Sequence, residues 1–156
     1  LSRRVAEHLS LSASGIEALM MQCHRWFAQQ GLKTCDLYVP PAWAMGSISR
    51  AQLAAMPFRL FETLTGVFDA RAQQMHPLPL AGFEADTLLR EWFLQGVNHL
   101  NWRRACHTGQ ALRIGIHPHD LSLRLGHQVI PMSRAVSASL TYQDAASGCP
   151  VITPSG

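Results

Sequence analysis

Two stretches of the chain carry apolar residues at helical spacing, and between them lie short runs that read as strands. From Ile16, the positions Leu19, Met20, Cys23, Trp26 and Phe27 recur at three- and four-residue intervals, the period that gathers side chains on one helix face. Ser14-Gly15-Ile16-Glu17 has capping-box spacing and Gly31 supplies a stop, which predicts a helix from about Ser14 to Gln30. The second pattern runs through Leu88, Leu89, Trp92, Phe93, Val97, Leu100 and Trp102, and Asp86 is placed to cap it. Cys35 to Val39 reads as a short strand halted by Pro40-Pro41, because two prolines remove two ladder donors in succession. Ser49 can cap a short helix to Met56, closed by Pro57. Phe58 to Phe68 then reads as one or two strands, with Gly66 as the weak point.

Further strands are expected over Leu78 to Phe83, punctuated by Pro77 and Pro79, and over Leu112 to Ile116 after a Thr108-Gly109-Gln110 turn. Beyond Asp120 a helix-like segment runs to about Leu140, interrupted at Gly126 and Pro131. Strands alternate with helices over most of the length. That alternation predicts an α/β fold with parallel strands, either a layered sheet or a segment of a barrel. Residues 145–156, rich in Ser, Gly and Pro, are expected to form a poorly ordered tail after a single domain over 1–144.

A chain of 156 residues can bury one ordinary core without staples. The net charge of +3 is spread thinly, with basic pairs only at Arg3-Arg4 and Arg103-Arg104, so nucleic acid is not an expected partner. No apolar run approaches a membrane span, and Cys23, Cys35, Cys106 and Cys149 form no CxxC pair. The expectation is a soluble, cytoplasmic protein with free thiols. The chain opens at Leu1 inside a polar, helix-like stretch rather than on a strand, so an N-terminal part of the domain is expected to precede it.

The chemistry concentrates where the Leu112-Arg113-Ile114-Gly115-Ile116 run empties into His117-Pro118-His119-Asp120. In sheets with parallel strands the carboxyl ends carry reactive groups while the strands pack. His117, one residue beyond the strand, can act as general acid or base, or simply hydrogen-bond in a packed rim. Asp120 can orient an imidazole or cap the following helix. Pro118 fixes the backbone between His117 and His119. The second constellation is Pro40-Pro41-Ala42-Trp43, a stiff loop whose Trp43 can wall an apolar or sugar-like ligand or lie as a lid on the core. Tyr38 beside it is a candidate for a further ligand contact. His24 and His99 sit inside the two helical patterns and read as structural, and no H-E-x-x-H or Gly-rich phosphate loop occurs.

Taken together, Leu37-Tyr38-Val39-Pro40-Pro41-Ala42-Trp43 and the Leu112 to Asp120 segment resemble a divergent bacterial branch of the polysaccharide deacetylase superfamily. Phe61-Glu62-Thr63-Leu64-Thr65-Gly66 between them is similar too, and the likeness covers roughly Ser14 to Leu140. The resemblance implies part of a distorted (β/α) barrel, with its N-terminal strands missing, that hydrolyses an N-acetyl bond of a carbohydrate or related substrate. It also implies a divalent metal such as zinc that activates water. His117 matches the late-strand His that protonates the leaving amine, and the Pro40 to Trp43 loop matches the groove motif that lines the substrate. His119 and Tyr38 would be further substrate contacts.

The family's Asp-Asp and H-x-x-x-H metal motifs precede its proline loop, and neither occurs between Leu1 and Val39. No metal ligand is therefore expected in this chain, which alone should neither turn over substrate nor bind metal tightly. Two other readings compete: a non-catalytic carbohydrate-binding or degenerate deacetylase-fold module, and an amidohydrolase-type site in which His117 and His119 hold the metal themselves.

Overall fold

A computed structural model describes residues 6–136 and 138–147. The chain is mixed α/β, with helices and two small sheets and no closed barrel among the described residues. It divides into two compact units, Leu1–Pro77 and Leu78–Gly156.

In the first unit, helix α1 spans Ala13–Gln29 and its cap is Ser12, not Ser14. The Ser12 hydroxyl accepts the Gly15 N–H at 3.2 Å, so the helix begins two residues earlier than the capping-box spacing indicates. It ends as expected at Gly31, whose φ of +68° is the left-handed conformation glycine tolerates best. Of the apolar stripe, only Ile16 and Met20 are buried, while Trp26 and Phe27 are exposed.

Strands β1 (Leu37–Tyr38), β2 (Leu60–Thr63), β3 (Gly66–Asp69) and β4 (Gln74–Pro77) form one sheet in that order. β1 and β2 are parallel, joined across helix α2 (Arg50–Ala54), which Ser49 caps with a complete capping box. β2, β3 and β4 form an antiparallel meander, which the parallel expectation did not contain. Phe61 pairs with Phe68, and both turn into a core with Ile16, Met20, Leu53 and Phe58. Strand pleating sends Leu60, Glu62, Val67 and Asp69 to the opposite face, and all four are buried as well. Asp69 is sustained there by Arg59 at 2.7 Å and by the N–H groups of Arg71 and Ala72.

The second unit is built on β5 (Leu80–Gly82), α3 (Leu88–Thr108) and β6 (Arg113–Gly115), with β5 and β6 parallel and in register from Leu80↔Arg113 to Gly82↔Gly115. Thr87, not Asp86, caps α3 by accepting the Arg90 N–H, and Asp86 instead pairs with the Arg90 guanidinium at 3.2 Å. Gly109 closes the helix at φ +67°. The apolar positions of α3 do not form its packed face: Leu89 is 82% exposed and Trp92 74%, whereas Asn98 is 1% exposed. The Asn98 amide donates to the Gly82 carbonyl at 2.8 Å and accepts the Gly82 N–H at 3.1 Å, and Asn101 donates to the Leu80 carbonyl. α3 therefore meets β5 partly as an additional strand would, through hydrogen bonds to its backbone.

Helix α4 spans Gly126–Arg134 with Pro131 inside it, and α5 spans Tyr142–Ala146 under a Thr141–Asp144 capping box. The helix-like segment expected to reach Leu140 thus stops at Arg134. Ala81, Phe83, Ala85, Leu125 and Val129 make the core of this unit. The expected tail begins inside α5, since Ala145 and Ala146 are helical. Residues 148–156 lie outside the described residues. Among the described residues no helix is long and apolar enough to cross a membrane.

Candidate functional site

β6 ends at Gly115, and the chain then folds through His117, Pro118 and His119 into a 3-10 turn over Asp120–Ser122. The Asp120 N–H donates to the His117 carbonyl at 3.1 Å and Ser122 donates to that of His119. Asp120 is completely buried, and its Oδ2 accepts the His117 backbone N–H at 2.8 Å. The same oxygen stands 3.5 Å from His117 Nδ1, within ion-pair reach though longer than a formed hydrogen bond. Asp120 therefore reaches back to the histidine. It does not cap the turn it opens. Its Oδ1 is buried without a hydrogen-bond partner, a costly state for a carboxylate oxygen and one concentrated at functional positions.

Gly126 makes this arrangement possible, because a Cβ there would lie 2.7 Å from the Asp120 carbonyl oxygen and 2.5 Å from that of Leu121. The His117 side chain is 51% exposed, so the turn presents an accessible imidazole on a buried carboxylate. His119 is exposed on the same turn.

In the first unit Pro40 is fully buried and Pro41 opens a 3-10 turn through Trp43. Ala42 and Trp43 both take positive φ, 51° and 56°. Left-handed backbone costs a non-glycine residue about 1–2 kcal/mol, so two in succession persist only where the surroundings enforce them. The turn is held by the Trp43 N–H on the Pro40 carbonyl at 3.0 Å and by the indole Nε1–H on Glu62 Oε1 at 3.1 Å. Trp43 is half-buried and belongs to a constrained loop.

Tyr38 is half-buried against the core of the first unit. Its hydroxyl lies 3.0 Å from Nε2 of the buried His8, its ring stacks on the His8 imidazole at 5.8 Å, and Phe58 and Phe61 pack beside it. Burial, with the Cys23 thiol nearby, pushes the Tyr38 phenol up to about 12. Burial likewise lowers the His8 imidazole, against the opposing pull of a Met45 backbone hydrogen bond and Glu7. Tyr38 braces the strand that delivers the loop.

The sequence-predicted residues thus fall into two groups: His117, His119 and Asp120 share one turn of the second unit, and Tyr38, Pro40, Pro41 and Trp43 share one strand-loop of the first. Glu62 and His8 were not singled out. Glu62 interrupts the apolar run Leu60-Phe61 and reads as a solvent-facing strand residue until both sheet faces prove buried, and His8 lies ahead of the first periodic segment.

A cleft of about 510 Å³ in the second unit is lined by Trp102, Cys106, Leu112, Val136, Leu140 and Tyr142. A smaller one of about 230 Å³ in the first unit is lined by Cys23, His24, Cys35, Tyr38 and Phe58. Neither includes the His117–Asp120 turn. Among the described residues no three His, Cys, Asp or Glu side chains are grouped to hold a metal ion. Comparison of the chain with models of protein families, with curated proteins and with solved structures gave no match.

Proposed function

We propose that this chain is part of a deacetylase-like hydrolase that cleaves the N-acetyl bond of a carbohydrate or related substrate, with His117 as general acid. The observation that carries the reading is the buried Asp120 carboxylate fixed on the His117 backbone and 3.5 Å from its Nδ1. A carboxylate beside one ring nitrogen sets the orientation of the imidazole, so that Nε2 is the atom from which the proton is delivered.

In amide hydrolysis water adds to the acetyl carbon, the carbon–nitrogen bond breaks, and acetate and an amine are released. The amine is a poor leaving group until it takes a proton, and a positioned imidazolium supplies it in the step where the bond breaks. His117 fills that role, and Asp120 holds it in position for the transfer. The Pro40–Trp43 loop is the proposed substrate contact: its half-buried indole offers an apolar face suited to a pyranose ring. The reading also takes β1–β2 and β5–α3–β6 as parallel pieces of a distorted (β/α) barrel. It takes the water-activating divalent metal to be held by residues other than those of this chain. Among the described residues Cys23, Cys35 and Cys106 are free thiols, which supports a reducing, cytoplasmic setting.

The test is acetate release from an N-acetylated glycan by the full-length protein supplied with zinc or another divalent ion. Wild-type turnover in His117→Ala refutes the acid role. Glycan binding that persists in that variant, with no hydrolysis by the wild type, assigns the fold to a binding module instead.

A further inference from the structure

We propose that Glu62 is the residue that positions Trp43, holding the indole as a fixed wall against the substrate. The inference rests on the reading above, in which the Pro40–Trp43 loop contacts the sugar. Glu62 is 6% exposed and sits on β2, which is hydrogen-bonded to β1 on one side and β3 on the other. A carboxylate on an interior strand is a rigid anchor. Its burial requires a donor, and the Trp43 indole N–H is placed to give one at 3.1 Å.

The loop end of this bond is where the backbone is most strained. Ala42 and Trp43 are consecutive left-handed residues, and such a pair relaxes toward ordinary φ values unless something beyond the backbone holds it. The indole–carboxylate bond ties the strained turn to the sheet and fixes the ring plane. A sequence that needed Trp43 only as a hydrophobic lid would require neither a buried carboxylate beneath it nor two unfavourable backbone conformations in front of it. The arrangement is that of a side chain whose direction matters.

The experiment labels the full-length protein with 5-fluorotryptophan and follows the Trp43 indole resonance by fluorine NMR, Trp43 being identified by the signal lost in Trp43→Phe. Triacetylchitotriose is the titrant, and acetate release from it gives KM and kcat. Glu62→Gln keeps an acceptor oxygen and is expected to leave the Trp43 resonance and KM near wild type. Glu62→Leu is expected to shift or broaden that resonance and raise KM roughly tenfold, with kcat within about twofold of wild type. Should Glu62→Leu fail to fold, Trp43→Phe removes the donor while keeping a ring and is expected to raise KM in the same way.

An unmoved Trp43 resonance and KM in Glu62→Leu overturn the proposal, as does a Glu62→Gln variant as impaired as the leucine. A Trp43 resonance that shifts in Glu62→Leu but does not respond to the trisaccharide in the wild type overturns the substrate role of the loop while leaving the Glu62–Trp43 bond intact. The two failures are thereby told apart.

Discussion

Asp120 holds His117 twice, accepting its backbone N–H at 2.8 Å and standing 3.5 Å from its imidazole Nδ1 with the same carboxylate oxygen. One bond fixes where the histidine sits on the turn and the other contact biases how its ring is turned. Since Asp120 is wholly buried and His117 half exposed, the pair turns its imidazole outward and keeps its carboxylate away from water.

Replacement of Asp120 should therefore cost more in activity than in folding. Asp120→Asn keeps an oxygen for the His117 N–H but removes the charge beside Nδ1. Acetate release by the full-length protein is expected to fall roughly 10- to 100-fold, while stability drops by about 1–3 kcal/mol because an amide N–H₂ is left buried without an acceptor. The two are read from initial rates and from urea unfolding. A rate loss no larger than that of the unfolded fraction leaves Asp120 only a structural role.

Asn98 is the polar residue that docks α3 onto β5, and it is expected to matter more than the apolar residues around it. Asn98→Leu adds hydrophobic volume yet strands both the N–H and the carbonyl of Gly82, which the amide now satisfies. A loss of about 2–4 kcal/mol is expected by chemical denaturation. Trp92→Ser, at a side chain 74% exposed, should change stability by less than about 1 kcal/mol.

These two helix positions show what the sequence could and could not disclose. Punctuation was legible: Gly31 and Gly109 end helices in the left-handed conformation, and Ser49 caps α2, because those outcomes are decided within one turn of backbone. The caps at Ser12 and Thr87 lie two residues and one residue from the expected Ser14 and Asp86, which offer equivalent chemistry, so that only geometry chooses. The buried face of α3 was misassigned because periodicity assumes that helices dock through apolar contacts. β4, Gln74–Pro77, has no alternation to detect, since its residues gain their place from pairing with β3. At the candidate site the His117–Asp120 spacing was visible, but the direction of the Asp120 carboxylate was not, and Glu62 was hidden because its burial depends on both sheet faces being covered.

Acid should weaken the first unit through Asp69. Burial alone would raise this carboxyl, but Arg59 and the N–H groups of Ala72 and Arg71 outweigh it and hold the group below its ordinary 3.8. A carboxylate lowered on folding contributes stability at every pH above 3.8, and loses it as the pH falls through that value toward the folded pKa. The urea midpoint is thus expected to decline below about pH 4. In Asp69→Asn that part of the decline should vanish and the midpoint at pH 7 should already be lower.

His8 acts in a higher window. Its pKa is lowered by burial from 6.5, so below that value the unfolded chain takes up a proton that the folded state resists. Stability is full above 6.5 and falls as the pH drops through it. His8→Gln, which retains a partner for the Tyr38 hydroxyl, is expected to remove the decline that sets in below pH 6.5. Midpoints for wild type and variant that run parallel across this range would exclude His8 as its source.

Gly126 provides a test of the Asp120 turn that leaves its side chains untouched. A methyl group at this position would stand 2.5 Å from the Leu121 carbonyl oxygen and 2.7 Å from that of Asp120, distances no Cβ adopts, and both neighbours are backbone that cannot rotate away. Gly126→Ala must therefore displace either the start of α4 or the turn carrying Asp120. A cost of about 2–4 kcal/mol is expected in unfolding experiments. Because Asp120 Oδ2 is what holds the His117 N–H, displacement of the turn also frees that amide. Hydrogen exchange at His117 should quicken in Gly126→Ala, while exchange at Arg113 to Gly115 within β6 stays slow. If His117 exchanges at the wild-type rate in a variant that has lost the full stability, α4 has moved and the Asp120 turn has not.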